Sequence, residues 1–230
     1  MAKITSFEGK IPKRIGNYVV YRLDDQLIVR ANSGFTSKGL KQKAKYALCL
    51  QNASEFGLLS KTCKAIRQVV ADGLTLHNNL QVVNNLTKKM RSVLVYDTLH
   101  DRGNRNLKTA LATSEAQNVM KGYAFTPDFK LQLQVTPEGL LVTVPEELLE
   151  FSNGYLGFCV QYLFFDFDSL TGYLERTTWQ MEPLNSKVSF VLPVVAPGGV
   201  LLSMYRFSFF SLQEGEWLPV LPEQKGLVVF

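Results

Sequence analysis

Few residues of this chain could do acid–base or nucleophilic chemistry, and the two histidines are the first to consider. His77 lies between two predicted helices, and His100 precedes Asp101 at a predicted helix end. No Ser or Cys stands in a Gly-x-Ser-x-Gly context, in which a neighbouring base could activate it. A single His near a helix end is usually a capping or surface residue. We therefore predict no catalytic residue and a protein that is not an enzyme.

Asp166 and Asp168 form the best carboxylate pair. Their spacing at the end of a predicted strand puts both on one face, where they could hold a calcium ion or serve glycoside hydrolysis beside an acid such as Glu175. The loop that follows lacks further oxygen ligands, which favours a polar strand end entering a turn at residues 169–172. Ion binding at this pair stays open, and we predict no cofactor and no other metal site. Residues 196–199 precede a strand and lack a following Lys, so they are a hairpin turn and not a phosphate loop.

Cys49, Cys63 and Cys159 are odd in number, far apart and embedded in apolar patterns. This arrangement favours buried free thiols over a disulfide framework or a zinc site.

Charge is strongly asymmetric along the chain. Residues 1–110 hold 19 Lys and Arg against 7 Asp and Glu, a net charge of +12, whereas residues 111–230 hold 6 against 13, a net charge of −7. Opposite signs in the two halves indicate two partners, or one self-complementary surface that could stack head to tail. The residues predicted to bind a partner are the cations Lys41, Lys45, Lys61, Lys64, Arg67, Arg102 and Arg105.

The same basic residues could neutralise nucleic-acid phosphates. Scattered arginines, and the lack of a base-stacking arrangement around Tyr18, Tyr21 and Phe35, weaken that interpretation. A solvated helix face is the commonest meaning of such lysine runs.

The elements that carry these residues divide into two kinds. Residues 15–22 and 26–30 alternate as a β-hairpin around Asp24 and Asp25. Helical spacing starts near Ser37 with a break near residues 52–54, and a second helix starts at Asn78 or Asn79. A weaker helix is predicted over residues 107–119. Strands are then predicted at residues 129–135, 140–144, 155–167, 173–181, 187–192, 200–211 and 227–230.

This order predicts an α+β fold, in which an N-terminal β-hairpin and a basic helical hairpin precede an antiparallel β-sandwich. The predicted domains are residues 1–120 and residues 121–230. An internal echo, in which a long aromatic strand after a Gly is followed by a turn and an acidic strand, predicts two related hairpins from the two halves of the sandwich. The C-terminal run 226–230 could complete this sheet or add to a neighbour's edge.

The chain has 46% hydrophobic content, which is typical of a protein with a substantial core. Its start carries no secretory signal pattern, and its most apolar stretch, residues 154–167, is shorter than the roughly 18 residues that span a bilayer. We therefore expect cytoplasmic synthesis and no membrane span. Release as part of an assembly is left open.

Four short segments, residues 15–21, 27–30, 54–57 and 64–67, resemble an uncharacterised family of Bacteroidota proteins. In that family a short hairpin with an Ile-Gly-x4-Tyr pattern and a helix with a Glu-Phe-Gly pattern precede a variable β-rich half. The resemblance covers about the first 70 residues. It implies a small module joined to a sandwich and brings no assigned activity or catalytic residue.

These observations favour a structural or interaction protein, a subunit of a self-assembling filament, particle or phage-like assembly. Its basic half would dock on an acidic protein surface, with the acidic half of another copy as one option, so a homo-oligomer is expected. One alternative is nucleic-acid binding by the basic helices. The other is a carbohydrate-binding sandwich centred on Asp166, Asp168 and Trp179.

Overall fold

The computed structural model describes residues 2–4, 13–23, 26–32, 44–71, 80–126, 130–149, 154–193, 196–220 and 226–229. Helices are followed by antiparallel sheets, which confirms the predicted α+β class. The chain divides into two compact units, residues 1–52 and 53–230. The helices are α1 (Ala47–Val70), α2 (Leu80–Val93), α3 (Leu107–Leu111), α4 (Ser114–Met120) and α5 (Glu146–Leu149), with short 3₁₀ turns at Ala44–Tyr46 and Leu94–Tyr96. The strands are β1 (Ala2–Ile4), β2 (Arg14–Ile15), β3 (Tyr18–Leu23), β4 (Gln26–Ala31), β5 (Gln132–Thr136), β6 (Gly139–Thr143), β7 (Gly154–Asp166), β8 (Thr171–Arg176), β9 (Gln180–Pro183), β10 (Lys187–Phe190), β11 (Leu202–Gln213), β12 (Glu216–Pro219) and β13 (Gly226–Val229).

The unit of residues 1–52 contains a four-stranded antiparallel sheet in the order β1-β4-β3-β2. Strands β3 and β4 form the predicted hairpin, which closes with the pair Leu23 and Gln26. The residues predicted to turn, 24 and 25, lie outside the described part. Val20, Leu27 and Ile28 are buried, whereas Tyr18 is exposed, so this ribbon buries only part of its apolar surface.

A six-stranded sheet is the platform of the second unit. Its central strands β7 and β11 pair antiparallel from Leu202 with Leu163 to Ser211 with Gly154. The outer side of β7 carries β8 and β9, and the outer side of β11 carries β12 and β13. The two echoed hairpins, β7-β8 and β11-β12, thus lie side by side in one sheet. The prediction that they come from the two halves of the sandwich is wrong.

A three-stranded sheet in the order β10-β6-β5 packs against one face of this platform and completes the sandwich. Alternate residues of β7 and β11 point into the shared core. Phe158 lies at its centre, with ring centroids 5.0 Å from Phe190 and 5.3 Å from Phe207. The Gln180 side chain ties the sheets together, because its amide group both donates to and accepts from the backbone of Val191.

Helices α1 to α4 cover the opposite face of the platform, at the end where β7 finishes and β11 begins. Ile66 of α1 and Met90 of α2 are fully buried there with Leu163, Met204 and Leu227 of the sheet. The helices and the six-stranded sheet therefore share one core. A domain boundary between residues 120 and 121 stays a prediction.

Two predicted helix limits were wrong. Helix α1 runs through residues 52–54 without a break, because Asn, Ala and Ser cost only tenths of a kcal/mol in a helix that tertiary packing supports. The single helix predicted over residues 107–119 is two helices. Thr113 is extended and its hydroxyl accepts from the Ala116 N–H, which caps α4 and ends α3.

We predict that Gly139→Ala destabilises the second unit by about 2–4 kcal/mol. Gly139 has φ of +145°, and an added Cβ would lie 2.2 Å from the Phe190 carbonyl oxygen. Both tryptophans, Trp179 and Trp217, lie in this unit, so urea unfolding followed by tryptophan fluorescence reports on it. The control is Gly57→Ala on the exposed side of α1, where a Cβ meets nothing within 4 Å. It should stabilise by about 0.5–1 kcal/mol, and equal effects of the two variants would contradict this account.

Candidate functional site

Glu55 is the only acidic residue of α1, and it is buried with 7% exposure. Its carboxylate accepts hydrogen bonds from Arg105 Nε at 2.7 Å and Arg105 Nη2 at 2.9 Å, and from the Gly103 N–H at 2.8 Å. The hydrogen bond from Arg105 is the main reason that the pKa of Glu55 lies below its usual value, although burial acts in the other direction. This two-pronged ion pair fastens the loop after α2 to helix α1.

Asp97 organises the same loop from inside, and its side chain is fully buried. It accepts from the backbone N–H of Asn106 at 2.9 Å, from His100 Nδ1 at 2.9 Å, and from the N–H groups of Leu99 and His100 at 3.2 Å. Burial alone would raise the pKa of Asp97, but these hydrogen bonds outweigh it and lower the pKa. Asn106 in turn caps α3 by accepting from the Thr109 N–H.

A cleft of about 490 Å³ opens between α1, this loop and the turn after β7. Its apolar lining comes from helix and loop leucines and from Phe167. An ion pair between Lys108 Nζ and Asp168, 2.7 Å long, joins α3 to the turn at its side. Both partners are exposed, at 58% and 78%. The lining residues are Glu55, Leu58, Leu59, Thr62, Leu94, His100, Arg105, Asn106, Leu107, Lys108, Thr109, Phe167 and Asp168.

Six of the seven predicted partner-binding cations lie among the described residues. Lys41 lies outside the described residues, and Lys45 is in the first unit, with its ammonium 5.0 Å from the centre of the Tyr46 ring. Lys61 and Lys64 are exposed on α1, and Arg67 is half-buried there.

Two further predicted cations lie in the loop near Glu55. Arg102 is exposed, and its charge helps to lower the pKa of Glu55. Arg105 is 22% exposed and engaged by Glu55. That geometry favours a structural role for Arg105 over the partner contact predicted for it.

Lys88, Lys89 and Arg91 of α2 were not among the cations predicted to bind a partner. Helix α2 has no acid, so its charged residues are all cations. The structural roles of Glu55 and Asp97 were not predicted. Their position as rare acids in a basic segment could have indicated that they form ion pairs within the molecule.

Asp166 behaves as a turn residue, the reading that the sequence favoured. Its carboxylate accepts from the Ser169 hydroxyl at 2.6 Å and from the Asp168 N–H at 3.0 Å, and these bonds lower its pKa. No cluster of three or more His, Cys, Asp or Glu suited to a metal occurs among the described residues.

Asp166 and Trp179 do not come together. Asp166 is at the C-terminal end of β7, whereas Trp179 packs edge-on against Phe210, whose partner in β7 is Tyr155. Tyr155 and Asp166 are 11 residues apart along β7, a distance of roughly 36 Å. Arg206 lies 5.7 Å from the centre of the Trp179 ring and covers it. The sugar site predicted from these residues is therefore not assembled.

The histidines and cysteines considered for catalysis or metal binding form no reactive site among the described residues. His77 lies outside the described residues, and His100 binds Asp97 inside the loop after α2. All three cysteines are free, but Cys49 is exposed, which corrects the expectation that it is buried. Burial raises the pKa of the Cys63 and Cys159 thiols to about 11, so both are protonated and unreactive near neutral pH.

Comparison with protein-family models, with curated proteins and with solved structures finds no match for this chain. Within the described ranges, no helix has both the length and the apolar character needed to cross a bilayer.

We predict that Glu55→Gln destabilises the second unit by about 2–4 kcal/mol, because Arg105 then keeps a half-buried charge without its counterion. Urea unfolding followed by tryptophan fluorescence measures the loss. Asp168→Asn removes the acid of an exposed pair and should change the stability by less than about 0.5 kcal/mol. Similar losses in both variants would contradict a special role for Glu55.

The pH dependence of stability follows from the lowered pKa values of Glu55 and Asp97. A carboxyl whose pKa is lower in the folded state stabilises above its unfolded pKa, and this stabilisation is lost as the pH falls through the folded value. Stability should thus hold from pH 7 to about 5 and fall below about 4. The variant Glu55→Gln, Asp97→Asn should show a flatter decline in urea titrations between pH 7 and 3. An unchanged slope would contradict this assignment.

Proposed function

We propose that this protein is a non-enzymatic structural subunit that assembles with other copies of itself. The cationic helix faces, defined as Lys61 and Lys64 of α1 with Lys88, Lys89 and Arg91 of α2, would bind the acidic end of another copy's sheet. The observation that carries the proposal is that these faces hold cations and no exposed acid.

The cationic helix faces have no counterions within the described part of the molecule. Helix α2 contains no acid, and the only acid of α1, Glu55, is buried and used by Arg105. None of the ion pairs between described residues includes a cation of these faces. Such a surface attracts an anionic partner and steers its approach.

An acidic end lies at the far end of the six-stranded sheet, where β7 begins and β11 finishes. Glu182 of β9, Glu214 of the turn and Glu216 of β12 are exposed there, and they take part in none of those ion pairs. Trp217 and Leu218 beside them are 39% and 41% exposed. Acids next to exposed apolar side chains suit a protein contact, because the apolar groups add burial to the charge attraction.

Side chains, and not strand pairing, would make this contact. The Val220 N–H donates to the Phe209 carbonyl, so Glu216 and Leu218 also direct their N–H groups at β11. The backbone groups of Trp217 and Pro219 point away from β11, toward the open edge of the sheet, and Pro219 has no N–H to donate there. A proline at an outward position blunts the edge against strand addition.

The helices that carry the cationic faces pack at one end of the sheet, and the acids lie at the other end. Strand β7 has 13 residues and is therefore roughly 40 Å long. A contact between unlike surfaces at opposite ends is heterologous, and repetition of it gives a closed ring or an open filament. This supports an assembly of the filament, particle or phage-like kind.

Nucleic-acid binding by the same faces is the weaker alternative. The structure supplies mostly lysines, and Arg105 is held by Glu55. Phosphate binding would also leave the acidic end without a role. Filter binding of DNA separates the two proposals: only nucleic-acid binding retains DNA on the filter, and that retention should fall steeply with salt.

We predict that Lys61→Glu, Lys64→Glu weakens self-association by about tenfold or more, because two attractive contacts become repulsive. Glu214→Lys, Glu216→Lys should do the same from the other side. A mixture of the two variants should associate again, since the reversed charges match. Sedimentation velocity at low salt measures each species. The control Lys121→Glu reverses an exposed cation outside both proposed surfaces and should not change association.

Failure of the mixture to associate, or an equal loss in the control, would exclude the proposed pairing of these surfaces. Unfolding curves of each variant check that the fold is kept.

A further inference from the structure

We propose that the cleft beside Lys108 is a binding site for a small organic acid that joins a carboxylate to an apolar body. The carboxylate would pair with Lys108 in place of Asp168. This site is separate from the cationic helix faces and does not depend on the proposed assembly.

The volume and the apolar lining of the cleft are typical of a small-molecule site. Its volume of about 490 Å³ lies within the roughly 300–1,000 Å³ of typical ligand pockets. Leucines and a phenylalanine form most of its apolar lining, and one of them, Leu58, is 45% exposed although it lies on a helix with a well-buried face. An aromatic or aliphatic ligand body of about ten carbons would cover this surface. The apolar lining residues are Leu58, Leu59, Leu94, Leu107 and Phe167.

The charges around the cleft fall into two classes. Glu55 and Arg105 neutralise each other in a buried two-pronged pair, so neither can turn to a ligand without leaving its partner unpaired. Lys108 and Asp168 are both largely exposed and joined by one ion pair, and the nearby charge of Asp166 also acts on Lys108. Such a surface pair is weak and is easily exchanged. A ligand carboxylate can therefore replace Asp168, which returns to water at little cost.

Two further polar side chains, His100 and Thr62, line the cleft. Ionised Asp97 can only accept, so Nδ1 of His100 must carry the proton that it donates. The second ring nitrogen of His100 is then left for a ligand. The hydroxyl of Thr62, which donates to the Leu58 carbonyl, keeps its lone pairs as acceptors on the cleft wall.

The ligand's charge follows from the number of exchangeable cations. One lysine suits a singly charged carboxylate. Arginine binds phosphate through two parallel hydrogen bonds, and the only arginine that lines the cleft is already held by Glu55.

A panel of small acids tests the site on the full chain. The probes are 2-naphthoate, 4-phenylbutyrate and decanoate, each compared with its uncharged primary amide by isothermal titration calorimetry. At least one acid should bind with a Kd of about 1 mM or tighter, and its amide at least about tenfold more weakly. Lys108→Gln should remove this preference. Asp168→Asn should tighten acid binding by about two- to fivefold, because the carboxylate paired with Lys108 is gone and only the weaker influence of Asp166 remains. Lys187→Gln, which changes an exposed cation outside the cleft, is the matched control.

Three results would overturn the site: no acid binds below about 10 mM, the amides bind as well as the acids, or Lys108→Gln keeps the preference. Both cleft variants alter an exposed pair, so unfolding curves should match those of the unchanged chain. Loss of acid binding with intact self-association, or the reverse, shows which of the two proposals has failed.

Discussion

The ion pair of Glu55 with Arg105 is the constraint on which the proposed surfaces depend. It is partly buried, so removal of either partner leaves a charge that water cannot fully solvate. The pair draws the loop at residues 97–106 onto α1, and Asp97 then fixes the loop's inner hydrogen bonds. This loop forms one wall of the cleft. The pair also uses the only acid of α1 inside the molecule, which leaves the lysines of that helix with no acid on the same helix to pair with.

The long pair of strands β7 and β11 separates the basic and acidic segments of the sequence in space. One end of the pair carries the core shared with the helices, and the other end projects the acids of β9 and β12. Because the helices pack at one end of the sheet and the acids lie at the other, the strand length separates the two surfaces. A basic segment and an acidic segment of one chain thus lie apart within residues 53–230, where they could otherwise have neutralised each other.

Local patterns predicted much of the fold. The hairpin of β3 and β4, the amphipathic α2 and the aromatic runs of β7 and β11 follow from residue periodicity and turn residues, which act over short distances. The break expected near Asn52 failed because weak propensities yield to packing. The split at Thr113 was missed because a Thr can cap one helix or continue another, and only the backbone conformation decides between them.

The site was less predictable because it rests on contacts between distant residues. Nothing near Glu55 in the sequence indicates that it forms an ion pair with Arg105, 50 residues later. Trp179 and Asp166 are close in sequence, yet a long strand holds them apart. Lys108 and Asp168 meet only because α3 packs beside the turn after β7. Composition revealed the sign of each surface, and tertiary structure decided which charges remain exposed.

The most direct test of the central claim is the molar mass of the unmodified chain across ionic strength, measured by light scattering during gel filtration. If unlike charged surfaces drive assembly, the mass at about 20 mM salt should be a multiple of 25.9 kDa and should fall toward one chain near 1 M, where the Debye length is only about 3 Å. A strict monomer at both salt concentrations, or an assembly whose size does not respond to salt, would contradict the account.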